Sequence, residues 1–186
     1  MEFEKSDVER IVRQVLEETD GETRPVAGPL PSDACVAIGS DHGGYALKEA
    51  LKRYITEELG HRVRDVGTDG EASCDYPDFA VRVARLVADG ECERGIMIDG
   101  AGIGSSMAAN RVPGVLAACC HDVATVTNSR EHNNANVLTL GAGVVGRGLA
   151  RQMVRVWLAT DFAGGRHERR VRKILDLESE WNATNS

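Results

Sequence analysis

The chain has 186 residues, 42% of them apolar and 27% charged, and a formal net charge of −7. That balance fits one soluble globular domain with a little chain to spare, and it speaks against a general nucleic-acid surface. No apolar run approaches the ~20 residues of a membrane span, and the acidic N-terminus is unlike a secretory signal. The five cysteines, Cys35, Cys74, Cys92, Cys119 and Cys120, are odd in number and lack CxxC spacing, so free thiols in a reducing cytosol are expected.

Taken in chain order, Val8, Ile11, Val12, Val15 and Leu16 form the stripe of an amphipathic helix, with Ser6 and Glu9 as a capping box. The glycines and prolines of residues 20–33 read as a linker. The spacing predicts an N-terminal helix plus linker over 1–32, a main domain over 33–178 and a tail over 179–186. Within the main domain, strands are expected at Cys35–Gly39, Arg62–Val66, Gly95–Ile98, Val115–Ala118 and Asn136–Leu140. Helices are expected at Tyr45–Leu59, Pro77–Asp89, Gly104–Asn110, Asp122–Glu131 and Val144–Thr160, and from Gly165 to near Trp181. This alternation implies a three-layer α/β/α sandwich around a five-stranded parallel, Rossmann-like sheet. Ligands of such sheets bind beyond the C-terminal strand ends, where the strand order switches.

Three polar clusters are candidates for that edge. Gly39-Ser40-Asp41-His42-Gly43-Gly44 follows the first strand, and Asp99-Gly100-Ala101-Gly102-Ile103-Gly104 follows the third. Backbone N–H groups of a glycine turn before a helix can hold an anion or oxyanion, although tight packing explains such turns about as well. It is not a dinucleotide fingerprint, because no GxGxxG follows the first strand. Arg130-Glu131-His132-Asn133-Asn134 leads into the fifth strand, and all three clusters are expected at one sheet edge. Asp41 and Asn133 also suit helix caps, and His132 alone reads more readily as structural than catalytic. Arg166 and Arg170 lie four apart, so they share a helix face, as paired phosphate ligands or as a solvated basic turn.

Read in order, the motifs resemble ribose-5-phosphate isomerase B and its allose- and galactose-phosphate relatives. They are Ser40–Gly44, Asp75-Tyr76-Pro77, Gly100–Gly104, Ala108–Arg111, Arg130–Val137, and Gly164–His167 followed by Arg170. The resemblance implies an aldose–ketose isomerase that interconverts ribose 5-phosphate and ribulose 5-phosphate with neither metal nor cofactor. It implies that His132, supported by Asp41, assists ring opening, and that the Gly100, Gly102 and Gly104 region stabilises an enediolate. It further implies that Tyr76 and Asn133 contact sugar hydroxyls, and that His42, Arg166 and Arg170 serve the phosphate. In the family the site is built across a dimer, so a homodimer or dimer of dimers is expected, with Arg166 and Arg170 acting in trans.

Three positions depart from the family pattern. Where many members carry a cysteine base, this chain has Asp99, and where another branch carries a glutamate base it has Ser105. Asp99 is expected to replace the base, since a carboxylate with a reference pKa of ~3.9 starts deprotonated at neutral pH. Ala101 replaces a threonine or serine whose hydroxyl could relay a proton, and Gly143 replaces an arginine that Arg111, Arg147 or Arg169 would have to compensate. Cys74, Cys119 and Cys120 read as small apolar fillers. These changes leave open an isomerase for another phosphosugar, such as a hexose 6-phosphate, or a catalytically impaired sugar-phosphate binder.

The N-terminal stripe and linker resemble encapsulation peptides of bacterial microcompartment cargo enzymes, which implies a shell-protein partner for residues 6–17. The alternative is a helix that packs on its own domain or on another copy. The expected location is the cytoplasm or the inside of such a compartment, with no nucleic-acid or membrane partner.

Overall fold

The computed structural model describes residues 30–184. The helix expected over residues 6–17 lies outside them. The elements are β1 (Cys35–Ser40), α1 (Tyr45–Glu57), β2 (Arg62–Asp65), α2 (Tyr76–Ala88), β3 (Arg94–Asp99), α3 (Ile103–Ala109), β4 (Ala117–Cys119), α4 (Val123–Glu131), β5 (Val137–Gly141), α5 (Arg147–Ala159) and α6 (Arg166–Thr184). The strands form one parallel sheet in the order β2-β1-β3-β5-β4. The order reverses between β1 and β3, which opens a crevice beyond the C-terminal ends of these two strands.

Alternation along buried strands explains the three layers, because successive side chains point to opposite faces. Val36 and Ile38 of β1 face Leu51 and Ile55 of α1, and Val126 of α4 and Met153 and Trp157 of α5 join the same cluster. Ala37 of β1 and Met97 of β3 face Ala80, Val83 and Val87 of α2 on the other side, with Ala109 of α3. Asp122 starts α4 by accepting a hydrogen bond from the Thr125 N–H at 2.8 Å. The outer edge of β4 is closed by a side chain instead of a strand. Asn110 Nδ2 donates to the Ala117 carbonyl at 2.9 Å, and the Ala117 N–H donates to Asn110 Oδ1 at 2.8 Å. Of α6, Val171 is buried, while Ile174 and Leu177 are exposed.

The expected layers and all five strands are present, with local differences. The fifth helix starts at Arg147 and not at Val144, because Val144 and Val145 donate to the Gly141 carbonyl in a turn. The last helix continues to Thr184, through most of the expected tail. The expectation of five free thiols is corrected. Cys35 and Cys92 are joined as a disulfide with Cα atoms 4.6 Å apart, and Cys74, Cys119 and Cys120 are free. The pair starts β1 and precedes β3, which are hydrogen-bonded neighbours, and a separation of 57 residues carries no local signal of that proximity.

Gly44 of the first motif is a packing requirement. A Cβ there would lie 2.3 Å from the Ile98 carbonyl oxygen of β3. Gly44→Ala is expected to lower stability by about 1–3 kcal/mol or more, read as a lower urea midpoint. An unchanged midpoint would contradict the close approach.

Candidate active site

The first two clusters meet at the C-terminal edge of the sheet. Asp41, just past β1, is buried, and its Oδ1 accepts the Gly44 N–H at 3.0 Å. A Cβ on Gly43 would lie 3.4 Å from Asp41 Oδ1 and 3.7 Å from the Gly100 nitrogen, so the two loops touch. Exposed His42 accepts the Cys74 N–H at its Nδ1, 3.2 Å away, which places the ring proton of the neutral imidazole on Nε2. Tyr76, at the start of α2, lays its ring against Gly104, where a Cβ would sit 2.5 Å from its Cζ.

Asp99 ends β3 and is 5% exposed. Its Oδ1 accepts the N–H groups of Ala101, at 2.8 Å, and Gly102. Its Oδ2 accepts the Ser105 N–H at 3.2 Å and the Ser105 hydroxyl at 2.5 Å. The loop reaches this shape because Gly102 sits at φ +80°, in the left-handed region. Two loop amides and that of Ser105 are thus turned onto Asp99, while those of Gly100 and Gly104 are not. Cys119, at the end of β4, has its Sγ 3.8 Å from the Ala101 carbonyl oxygen. Burial pushes its thiol pKa up against a Thr139 hydrogen bond, and the charge of Asp99 adds to the rise. Cys120 lies in the core, where burial likewise raises its pKa. Of the three cysteines expected as fillers, only Cys120 is wholly one, since Cys74 orients His42 and Cys119 backs the loop.

The third cluster is elsewhere. Helix α4 carries the chain from the end of β4 back to the start of β5, so His132, which closes α4, lies at the N-terminal edge of the sheet. The expectation that all three clusters share one edge is therefore corrected. The length of β3 alone separates the two edges by roughly 16 Å. The chain also returns through α5 to the N-terminal edge, where the Ala163 N–H donates to the Glu131 carbonyl at 3.0 Å and α6 begins. Arg166, His167 and Arg170 consequently join His132 and Asn133, and not His42 and Asp99.

This second group has its own order. The His132 and His167 rings stack with centroids 4.2 Å apart and planes 2° from parallel. Asn128 Oδ1 accepts from Asn133 Nδ2 at 3.1 Å, which directs Asn128 Nδ2 to His132 Nδ1 at 2.8 Å. The His132 ring proton is then on Nε2, placed to hydrogen-bond a ligand. Arg166 Nε donates to His167 Nε2 at 3.3 Å. Arg130, singled out within the motif, is a buried strut. It donates to the carbonyls of Thr160 at 3.2 Å and Ala135 at 2.5 Å and to Asn134 Oδ1 at 3.1 Å, and burial, with Arg94 nearby, lowers its pKa to about 9. Asn134 adopts φ +49° in the turn that follows. Gly143, in place of the expected arginine, donates its N–H to the Gly100 carbonyl at 3.0 Å at the C-terminal edge. Arg147, at the start of α5, shares that edge, whereas Arg111, past the end of α3, is at the other. Sequence reasoning missed buried Lys48, which donates to Asp65 at 2.7 Å and to the Thr68 carbonyl at 2.8 Å and ties α1 to the end of β2. Its amphipathic position hid it among surface lysines.

Comparison with known proteins identifies the family. Residues 36–174 match the family described as Ribose/Galactose Isomerase. Ribose-5-phosphate isomerase B of Escherichia coli is 42% identical over 79% of this chain and 98% of its own length. D-erythrulose-4-phosphate isomerase of Pectobacterium atrosepticum is 40% identical over 75% of this chain and 91% of its own. The solved structure of Clostridium thermocellum ribose-5-phosphate isomerase B superposes with a TM-score of 0.77 at 50% identity, covering 79% of this chain and 99% of that one. The chain belongs to the Ribose/Galactose Isomerase family, a family of sugar-phosphate aldose–ketose isomerases, as its motifs implied.

Burial, then the charges of His132, Arg166 and Arg170, hold the His167 pKa below its ordinary value. Its NMR titration midpoint is expected below ~6.5 and is expected to rise in Arg170→Ala. A midpoint at or above 6.5 in the unaltered protein would contradict this geometry.

Proposed function

We propose that this protein interconverts ribose 5-phosphate and ribulose 5-phosphate at a site completed by two copies of the chain. The observation that carries the composite site is the separation of the two clusters. His42 and the Arg166–Arg170 pair, all expected at one phosphate, lie at opposite sheet edges of a single chain, as do Asp41 and His132. A two-fold dimer brings one edge of each copy against the other edge of its partner. The β4 side supplies a surface for it. A groove of about 660 Å³ runs there past Asn110, Cys119, Asn128, Asn133 and Ile174. The flanking helices expose Ile103 and Met107 on α3 and Ile174 and Leu177 on α6. The three relatives named above support the substrate class, and a further solved structure, ribose-5-phosphate isomerase B of Mycoplasma genitalium, carries bound ribulose 5-phosphate at 39% identity and a TM-score of 0.74.

In the proposed reaction His132 of one copy assists proton transfer to the ring oxygen through Nε2 as the bond from that oxygen to C1 breaks, and the C1 hydroxyl gives up its proton to leave the C1 aldehyde, with Asp41 of the other copy beside it. Asp99 removes the proton from C2, the C–H electron pair forms the C1–C2 double bond, and the carbonyl electrons move to O1. The Gly100 and Gly104 amides, which do not serve Asp99, face the enediolate, and Tyr76 and Asn133 hold hydroxyls. The O2 hydroxyl proton then passes to O1, the O2 electrons form the C2 carbonyl, and the C1–C2 double bond takes the proton back at C1, which leaves the ketose. His42 with Arg166 and Arg170 of the other copy hold the phosphate through charge-assisted donors. The D-erythrulose-4-phosphate isomerases among the relatives favour a second reading, a shorter phosphosugar substrate. With Ala101 and Gly143 altered, it is tested in the same assay. Residues 6–17, expected as an amphipathic helix ahead of a Gly/Pro linker, are proposed to dock on a shell protein, on that pattern taken together with the sugar-phosphate isomerase core.

The test is turnover of ribose 5-phosphate, D-erythrulose 4-phosphate and a hexose 6-phosphate side by side, with Asp99→Asn as the comparison. Ribulose 5-phosphate formation that falls by about 10²–10⁴-fold in kcat in Asp99→Asn supports the proposal. Preference for another phosphosugar overturns the substrate, and full turnover by Asp99→Asn removes Asp99 from proton abstraction.

A further inference from the structure

We infer that Ser105 is a positioning residue that sets the proton affinity of Asp99 through its hydroxyl. The inference rests on the reading of Asp99 as the base. A carboxylate offers about four lone-pair sites, and Asp99 has four donors: the N–H groups of Ala101, Gly102 and Ser105, and the Ser105 hydroxyl. No site is left for a proton from carbon until one donor withdraws. Three of the four are backbone groups fixed by the loop and by the start of α3. The fourth is a hydroxyl that turns about one bond without moving the backbone, and at 2.5 Å it is the closest of the contacts to Oδ2.

Both partners are buried, Asp99 at 5% exposure and Ser105 at 0%, so water does not readily replace the hydroxyl as a donor. While the hydroxyl donates to Oδ2, it favours the charged form and weakens Asp99 as a base. When it turns away, a lone pair opens on the oxygen that must accept the C2 proton. Serines in helices have an alternative acceptor in the carbonyl four residues back, here that of Ala101. The contact also explains how the family's two base positions relate. Residues 99 and 105 are six apart in sequence but touch through their side chains, so a carboxylate from either position reaches one pocket. In this chain the carboxylate comes from position 99, and position 105 has kept a donor.

The other titratable groups around this loop are Asp41 and His42 after β1, Tyr76 at the start of α2, and Cys119 at the end of β4 with His121 beside it. They are common to every variant compared, so they do not alter the difference. Removing a donor to the charged form raises a carboxylate's pKa. The acid limb of the pH profile of kcat is therefore expected to move up by about half a unit to one unit in Ser105→Ala and to return in Ser105→Thr, which restores a hydroxyl. Ser105→Cys, whose thiol is a weak donor, is expected between them. Thermal midpoints are measured on all three to show that they fold. An acid limb that stays in place in folded Ser105→Ala and Ser105→Cys overturns the inference, even if kcat itself drops. Full turnover by Asp99→Asn overturns the underlying reading instead, so the two failures are distinguishable.

Discussion

The direction of a parallel sheet governs everything else in this molecule. Each strand runs the same way, so each helix must carry the chain back to the starting edge before the next strand begins. Loops that follow strands collect at one edge, and segments that precede strands collect at the other. Asp41 and the Asp99–Gly104 loop follow β1 and β3, whereas His132 and Asn133 precede β5, and Arg166 follows a helix that has already returned. No adjustment of side chains bridges a gap set by the length of the strands. The chemistry of a ring-opening acid, a base and a phosphate clamp can be assembled from these residues only if a second copy contributes one edge, which makes association part of the proposed activity.

Within the C-terminal edge, Asp99 shapes its own surroundings. Its carboxylate gathers amides from both sides of Gly102, and the left-handed φ of that glycine lets the chain curl around it. The loop read in the sequence as an oxyanion cradle is therefore partly filled by the side chain that precedes it. In the proposed reaction a residue in this position must both organise the loop and take a proton. The burial and the four donors serve the first task at the expense of the second, and a mobile hydroxyl is the element that lets one group do both.

Much of the fold was legible in the sequence. The apolar stretches within β1 and β3 and the i, i+4 stripe of α1 are local patterns, and local patterns survive folding. The motif residues were also legible. Their grouping was only half so, because a cluster was assigned to an edge by its chemistry and not by whether it precedes or follows its strand. The Cys35–Cys92 bond, the Lys48 tie and the Arg130 strut depend on contacts between distant segments, for which no spacing rule exists. Asn134 in the same motif adopts a positive φ and serves a turn, which the motif alone did not show.

Mixing two inactive variants tests the composite site most directly. Asp99→Asn impairs only the C-terminal edge and His132→Asn only the N-terminal edge, so a heterodimer of the two contains one doubly altered site and one intact site. If the variants are unfolded together and refolded at equal concentration, random pairing is expected to restore about a quarter of the unaltered activity. A mixture as inactive as its components, with heterodimers present by mass, would contradict the account.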